Sequence, residues 1–62
     1  MSRHLLLVDD DSLFRQSLAE QLRLEEGFVT SEADSGHAAL AAASNTNFDL
    51  ILLDVGLGDI DG

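Results

Sequence analysis

The chain of 62 residues contains no cysteine and no lysine, and none of its apolar runs is long. Without cysteine, no disulfide bond and no thiolate metal site can stabilise the fold, and such a sequence suits a reducing compartment. The apolar runs fall far short of the roughly 18 residues that a membrane-spanning helix needs. The four apolar residues after His4 are also too few for a signal peptide. We therefore expect a soluble protein of the cytoplasm, without a membrane partner.

Positive charge is scarce. Three arginines face twelve acidic residues, and the formal net charge is −9. Binding to nucleic-acid phosphates requires lysine or arginine side chains, so we expect no direct contact between this segment and nucleic acid. Part of the acidic excess stands directly after apolar runs rather than on helix faces. Solvation of the surface alone does not explain that placement.

A chain of this length forms one domain at most, because about 60 residues bury only roughly 60% of the surface that they expose when unfolded. Apolar runs, capping residues and turn residues predict five elements in the order βαβαβ. The predicted elements are a strand at residues 5–8, a helix from Asp11 or Ser12 to about Glu26, a strand at 28–33, a helix opened by Ser35 and stopped by residues 45–47, and a strand at 48–54. Residues 55–62, which include three glycines, are predicted to form a loop.

Some side chains have ordinary structural interpretations. Phe14, Leu18 and Leu22 recur at helical spacing and are predicted to face the core. The arginines of the same helix, Arg15 and Arg23, are interpreted as solvated helix charges. The two histidines, at positions 4 and 37, are interpreted as surface residues rather than as phosphate donors.

Two of the predicted strands end at carboxylates. Asp9, Asp10 and Asp11 follow the first strand, and Asp54 closes the third. Connections that each contain a helix, with right-handed crossovers, make the three strands a parallel sheet. If the first and third strands are neighbours, Asp9, Asp10 and Asp54 converge at the edge where open α/β sheets bind ligands. Because three such charges repel one another, the cluster calls for a cation or a phosphoryl group.

These acidic strand ends resemble the receiver domain of bacterial two-component response regulators. The matching segments are Leu6-Leu7-Val8-Asp9-Asp10-Asp11, Glu32-Ala33-Asp34-Ser35-Gly36, Asp49-Leu50-Ile51-Leu52-Leu53-Asp54-Val55 and Asp59-Ile60-Asp61-Gly62. The resemblance implies an α/β, flavodoxin-like fold with strand order 2-1-3. Residues 1–62 would be the N-terminal half of a receiver domain, which is a doubly wound (βα)5 unit.

By this resemblance, Asp54 is the phosphoacceptor, and its donor is a phosphohistidine on a sensor histidine kinase or a phosphotransfer protein. Asp10 and Asp54 would give carboxylate oxygens to Mg²⁺, Gly56 its backbone carbonyl, and Asp9 would act through a metal-bound water. The family also uses a Ser or Thr after its fourth strand and a Lys after its fifth. Neither group is expected here. Any enzymatic chemistry would be limited to self-phosphorylation and dephosphorylation.

Two alternatives remain open. Asp9-x-Asp11 after an apolar strand resembles the motif of haloacid-dehalogenase-type phosphatases, with Asp9 as nucleophile and Asp11 as acid or base. That family needs a downstream lysine, which this chain lacks. The other alternative is structural: the apolar third strand, exposed at a sheet edge, would favour self-association of the fragment without phosphoacceptor activity.

Overall fold

The computed structural model describes residues 3–54, which fold as three strands and two helices. The elements are β1 (His4–Val8), α1 (Ser12–Glu26), β2 (Val29–Ala33), α2 (Gly36–Asn45) and β3 (Leu50–Leu53). Both pairings are parallel, and the sheet order is β2-β1-β3. The predicted α/β class and strand order are therefore confirmed. The loop predicted over residues 55–62 lies outside the described residues.

The helix ends follow the predicted capping chemistry. Asp11 is the N-cap of α1, and Ser35 is the N-cap of α2. Each side chain accepts a hydrogen bond from a backbone N–H in the first turn, which would otherwise lack a partner. At the other end of α1, Gly27 adopts a left-handed conformation with φ of 72°. Glycine takes this conformation without steric cost, so α1 ends there and the chain turns back toward the sheet.

Two strands begin later in the chain than predicted. The N–H of Phe28 donates to the carbonyl of Leu22 and so closes the end of α1, and β2 begins one residue later. Before β3, the side chain of Asp49 accepts a hydrogen bond from the His4 N–H at 2.8 Å. The Asp49 N–H in turn donates to the His4 carbonyl at 2.8 Å, so both the backbone and the side chain of Asp49 bond β1, and the paired register starts at Leu50.

The core is centred on β1. Leu6 and Val8 pack with Ala33 and Ala39, so α2 covers one face of the central strand. Leu5 and Leu7 point to the opposite face, because strand side chains alternate, and α1 lies against β1 and β2. The fully buried residue of α1 is Ala19, and its small side chain permits a close approach to the sheet.

The predicted core stripe of α1 is only partly correct. Leu18 and Leu22 are half-buried, but Phe14 is 56% exposed. The exposure of Phe14 depends on which elements lie beside β3. Phe14 is on the side of α1 toward β3, and within residues 3–54 the only element whose backbone closely adjoins β3 is β1.

No helix in the described part of the chain is both long and apolar enough to cross a membrane.

Candidate metal centre

The first part of the site is the chain segment that leaves β1. The N–H of Asp9 donates to the carbonyl of Ala33 at 3.1 Å, so the parallel ladder continues one residue beyond the strand. The Asp9 side chain is buried, and its Oδ1 accepts a hydrogen bond from the Asp11 N–H at 2.9 Å. The following residue, Asp10, is exposed. Hydrogen bonds therefore hold the backbone and the side chain of Asp9 in place, and the exposed Asp10 follows directly after it.

The second part of the site is the end of β3. The N–H of Asp54 donates to the carbonyl of Val8 at 3.0 Å, which continues the pairing of β3 with β1. This hydrogen bond places Asp54 beside the residues that follow β1. Its side chain is half-buried. The two strand ends predicted to meet therefore do meet at the carboxyl edge of the sheet.

The three predicted carboxylates form one cluster. Each of Asp9, Asp10 and Asp54 offers a carboxylate oxygen, and these oxygens lie within 4.8 Å of one another. Mg²⁺ binds oxygens at about 2.0–2.1 Å in octahedral geometry, so its ligands stand roughly 3 to 4 Å apart. Small side-chain rotations, or an intervening water, close the remaining difference. The donor set fits Mg²⁺; the predicted fourth ligand, the Gly56 carbonyl, lies outside the described residues.

Asp11 has a different role from its two neighbours. Its Oδ1 accepts from the Phe14 N–H at 3.1 Å, and its carbonyl accepts from the Arg15 N–H at 2.9 Å. The side chain is therefore committed to the start of α1. This contact does not support the acid or base role that a phosphatase would require. The start of α1 also lies next to the cluster, where its positive dipole end favours carboxylates.

Arg15 was predicted to be a solvated helix charge, and that interpretation is wrong. Its side chain is only 12% exposed, and its Nε donates to Oε1 of Glu32 on β2 at 2.8 Å. Its Nη1 donates to the backbone carbonyl of Asp9 at 2.7 Å. One signal in the sequence pointed to this. A cation close to the N-terminus of a helix opposes the macrodipole, so it needs an anionic or carbonyl partner nearby.

Arg23 keeps the predicted character of an exposed helix charge, with one hydrogen bond from Nη1 to Thr30 Oγ1 at 2.9 Å. His4, by contrast, is not a simple surface residue. Its Nε2 lies 2.8 Å from Ser31 Oγ, and its ring centroid lies 4.6 Å from that of Phe48. These contacts connect the start of β1 with the middle of β2 and with the segment before β3.

An open pocket of about 220 Å³ adjoins the carboxylates. One end is acidic, and the rest is apolar. Its lining residues are Leu7, Val8, Asp9, Phe14, Leu18, Leu52, Leu53 and Asp54. The exposed Phe14 and the carboxyl half of β3 therefore face the same space as two of the clustered carboxylates.

Comparison with known proteins places this geometry in context. Residues 5–62 match the family described as the response regulator receiver domain. The transcriptional regulatory protein PrrA of Mycobacterium leprae is 44% identical over 61 residues, which are 98% of this chain and 26% of that protein. The transcriptional activator protein PfeR of Pseudomonas aeruginosa is 41% identical over 61 residues, 98% of this chain and 20% of that protein.

A third relative has an enzymatic name. The protein-glutamate methylesterase/protein-glutamine glutaminase 3 of Rhodospirillum rubrum is 39% identical over 57 residues, 92% of this chain and 15% of that protein. The chain thus spans between about a seventh and a quarter of the length of these three relatives. No solved structure matches it with comparable significance.

Proposed function

We propose, because this chain belongs to the response regulator receiver family, that Asp54 accepts a phosphoryl group from a phosphohistidine. Receiver domains are signalling domains that take part in phosphorelays, and they typically interact with histidine kinases or phosphotransfer proteins. The observation that carries the proposal is the convergence of Asp9, Asp10 and Asp54, whose carboxylate oxygens lie within 4.8 Å of one another. The proposed partner is a sensor histidine kinase or a phosphotransfer protein, and the proposed location is the cytoplasm.

In the proposed reaction, a carboxylate oxygen of Asp54 attacks the phosphorus atom of the phosphohistidine. A P–O bond forms, the P–N bond breaks, and its electron pair returns to the imidazole nitrogen. Phosphoryl transfer depends mainly on positioning and on charge neutralisation. Bound Mg²⁺ would supply that neutralisation. Asp10, Asp54 and the Gly56 carbonyl are its proposed ligands, with Asp9 acting through a bound water.

We further propose that residues 1–62 correspond to the first half of a receiver domain. This half would contain the carboxylates proposed to bind the metal, whereas the Ser or Thr and the Lys of the family follow its fourth and fifth strands. The chain has no lysine at all. We propose that the enzymatic chemistry of this segment is self-phosphorylation and dephosphorylation. The methylesterase named above overlaps this chain over only 15% of its own length, which gives no ground for assigning its activity here.

The direct test is the intact mass of the chain after incubation with Mg²⁺ and acetyl phosphate. We expect a gain of one phosphoryl group that disappears in Asp54→Asn. Asp49→Asn is the matched control, because Asp49 stands at the opposite end of the β3 segment and bonds the His4 N–H. Labelling that survives Asp54→Asn would reject Asp54 as the acceptor. If it were lost instead in Asp9→Asn, the phosphatase alternative would gain support.

A second proposal concerns assembly. All four side chains of β3 are apolar and between 37% and 47% exposed. An apolar edge strand with unpaired backbone groups favours pairing with another chain. We propose that the 62-residue chain self-associates through β3. Light scattering at micromolar concentration should show a dimer or a larger species. A folded, monodisperse monomer would contradict this proposal without bearing on Asp54.

A further inference from the structure

One side chain connects α1, β2 and residues 9–11 between β1 and α1, which we call the acidic loop. Arg15 of α1 donates from Nε to the Glu32 carboxylate on β2 and from Nη1 to the Asp9 carbonyl, at 2.8 and 2.7 Å. Its side chain is mostly buried, whereas that of Glu32 is about one-third exposed. None of the three carboxylates in the cluster is the ion-pair partner of this guanidinium among the described residues. We call Arg15 and Glu32 the Arg15–Glu32 brace.

We propose that the brace sets the affinity of the carboxylate cluster for a divalent cation by holding the Asp9–Asp10 peptide in one orientation. Arg15 is thus a positioning residue. This inference rests on the function proposed above, since it assumes that the cluster binds Mg²⁺.

The planar peptide bond transmits the restraint from Arg15 to Asp10. A peptide unit is planar, so the carbonyl oxygen of Asp9 is rigidly connected to the nitrogen and Cα of Asp10. Asp9 is also held by its N–H, which donates to Ala33, and by its Oδ1, which accepts from Asp11. The Arg15 bond to its carbonyl is the third restraint. Because the Asp10 side chain is exposed, this bond sets the position of the Cα from which the Asp10 carboxylate extends.

The positive charge of Arg15 acts against cation binding at the cluster. A positive side chain beside a cation site repels the cation and weakens its binding. Glu32 offsets that charge at 2.8 Å, so the guanidinium can approach the acidic loop at a reduced electrostatic cost. Arginine suits this arrangement because its planar fork donates to two partners in fixed directions, which a lysine ammonium does not. Positioning and charge therefore predict opposite results when Arg15 is replaced.

The experiment measures Mg²⁺ binding to the 62-residue chain by titration calorimetry, with circular dichroism to verify folding. Arg15→Met removes the charge and both bonds, and Arg15→Lys keeps the charge but loses the fork. Arg23→Met is the matched control, since Arg23 is on the same helix and donates to Thr30 on the same strand. By analogy with residues that orient metal ligands, we expect Arg15→Met to weaken Mg²⁺ binding roughly tenfold. Arg15→Lys should weaken it several-fold, and Arg23→Met should change it less than about twofold.

Unchanged or tighter binding in folded Arg15→Met would overturn the proposal, because tighter binding is the result expected from charge alone. If that variant does not fold, Arg15→Lys decides: wild-type affinity would overturn the proposal. The double variant Arg15→Met/Glu32→Gln adds a further check. If Arg15 acts by positioning, the double variant should bind Mg²⁺ as weakly as Arg15→Met does. If Arg15 acts by charge, the tighter binding of Arg15→Met should return to about the wild-type affinity in the double variant.

A metal-free measurement separates this inference from the proposed function. Hydrogen exchange of the Asp11 N–H reports the order of the acidic loop, since that group donates to Asp9 Oδ1. We expect exchange to accelerate about tenfold in Arg15→Lys relative to Arg23→Met, through local opening. A wild-type chain that binds no Mg²⁺ would reject the proposed metal site. Equal exchange in these two variants would reject the brace.

Discussion

Strands β1 and β3 have similarly apolar sequences, but β1 is buried and β3 is partly exposed. Leu7 and Leu52 are partners in the parallel register, yet Leu7 is 3% exposed and Leu52 is 37% exposed. β1 lies between two strands and has helices against it, whereas β3 pairs with β1 alone among the described elements. The difference shows that coverage by neighbours, rather than residue type, determines how much each strand contributes to stability.

The same difference divides the carboxylate cluster. Asp9 stands at the end of the covered strand, where its backbone and side chain have partners on β2, α1 and the loop between β1 and α1. Asp54 stands at the end of the uncovered strand, held in line by the pairing of β3 with β1. One side of the site is therefore part of the core, and the other continues the pairing of β3 with β1.

The largest expected effect comes from shortening the two register partners separately. Leu7→Ala should lower the free energy of unfolding by about 3 kcal/mol, because it removes buried methyl groups and leaves a cavity. Leu52→Ala should lower it by about 1 kcal/mol or less, since much of that side chain is already in water. Urea unfolding followed by circular dichroism measures both. Equal losses would mean that β3 is covered in solution.

An intermediate effect is expected on assembly. Ile51→Lys places a charge on the exposed strand, and charged side chains on edge strands oppose pairing with another chain. We expect light scattering to shift from the associated species to the monomer. Leu40→Lys is the control, because Leu40 is 68% exposed on α2, away from the edge. Dissociation by both variants alike would locate the contact somewhere other than β3.

The smallest effect concerns the acidic end of β1. Asp10→Asn should raise the metal-free free energy of unfolding by about 0.5 kcal/mol, since it removes one of three neighbouring like charges. The same change should abolish the stabilisation that added Mg²⁺ gives to the wild type. Thermal unfolding with and without Mg²⁺ measures both quantities. Glu20→Gln serves as the charge-matched control, because Glu20 is exposed on α1. It should leave the stabilisation by Mg²⁺ unchanged.

Much of this comparison could be predicted from the sequence. Apolar runs predicted the strands, and connections that each contain a helix predicted a parallel sheet. The strand order was implied by the resemblance to receiver domains, and the meeting of Asp9 and Asp10 with Asp54 followed from that order. Local chemistry predicted Asp11 or Ser12, Gly27 and Ser35 at the helix ends, and the structure has Asp11, Gly27 and Ser35 there. These predictions succeed because capping and periodicity depend on nearby residues alone.

What could not be predicted depends on residues distant in the chain. Spacing alone assigns Phe14 to the apolar face of α1, but its burial requires a neighbour beside β3. The contacts of Arg15 join α1 to β2 and to the acidic loop, and nothing in its local sequence identifies Glu32 as the partner. Likewise, the hydrogen bonds between Asp49 and His4 at the start of β3 join residues that are 45 positions apart in the chain.

The parallel connectivity has a consequence for timing. Asp9 and Asp54 stand near opposite ends of the described chain, and two helical crossovers separate them. Contacts between such distant residues form late, because the entropy of closing the long loop must be overcome first. On a ribosome, the first carboxylates emerge long before the last. Any chemistry that needs both strand ends therefore begins only after the sheet has assembled, so a phosphorylated chain would be one that has already folded.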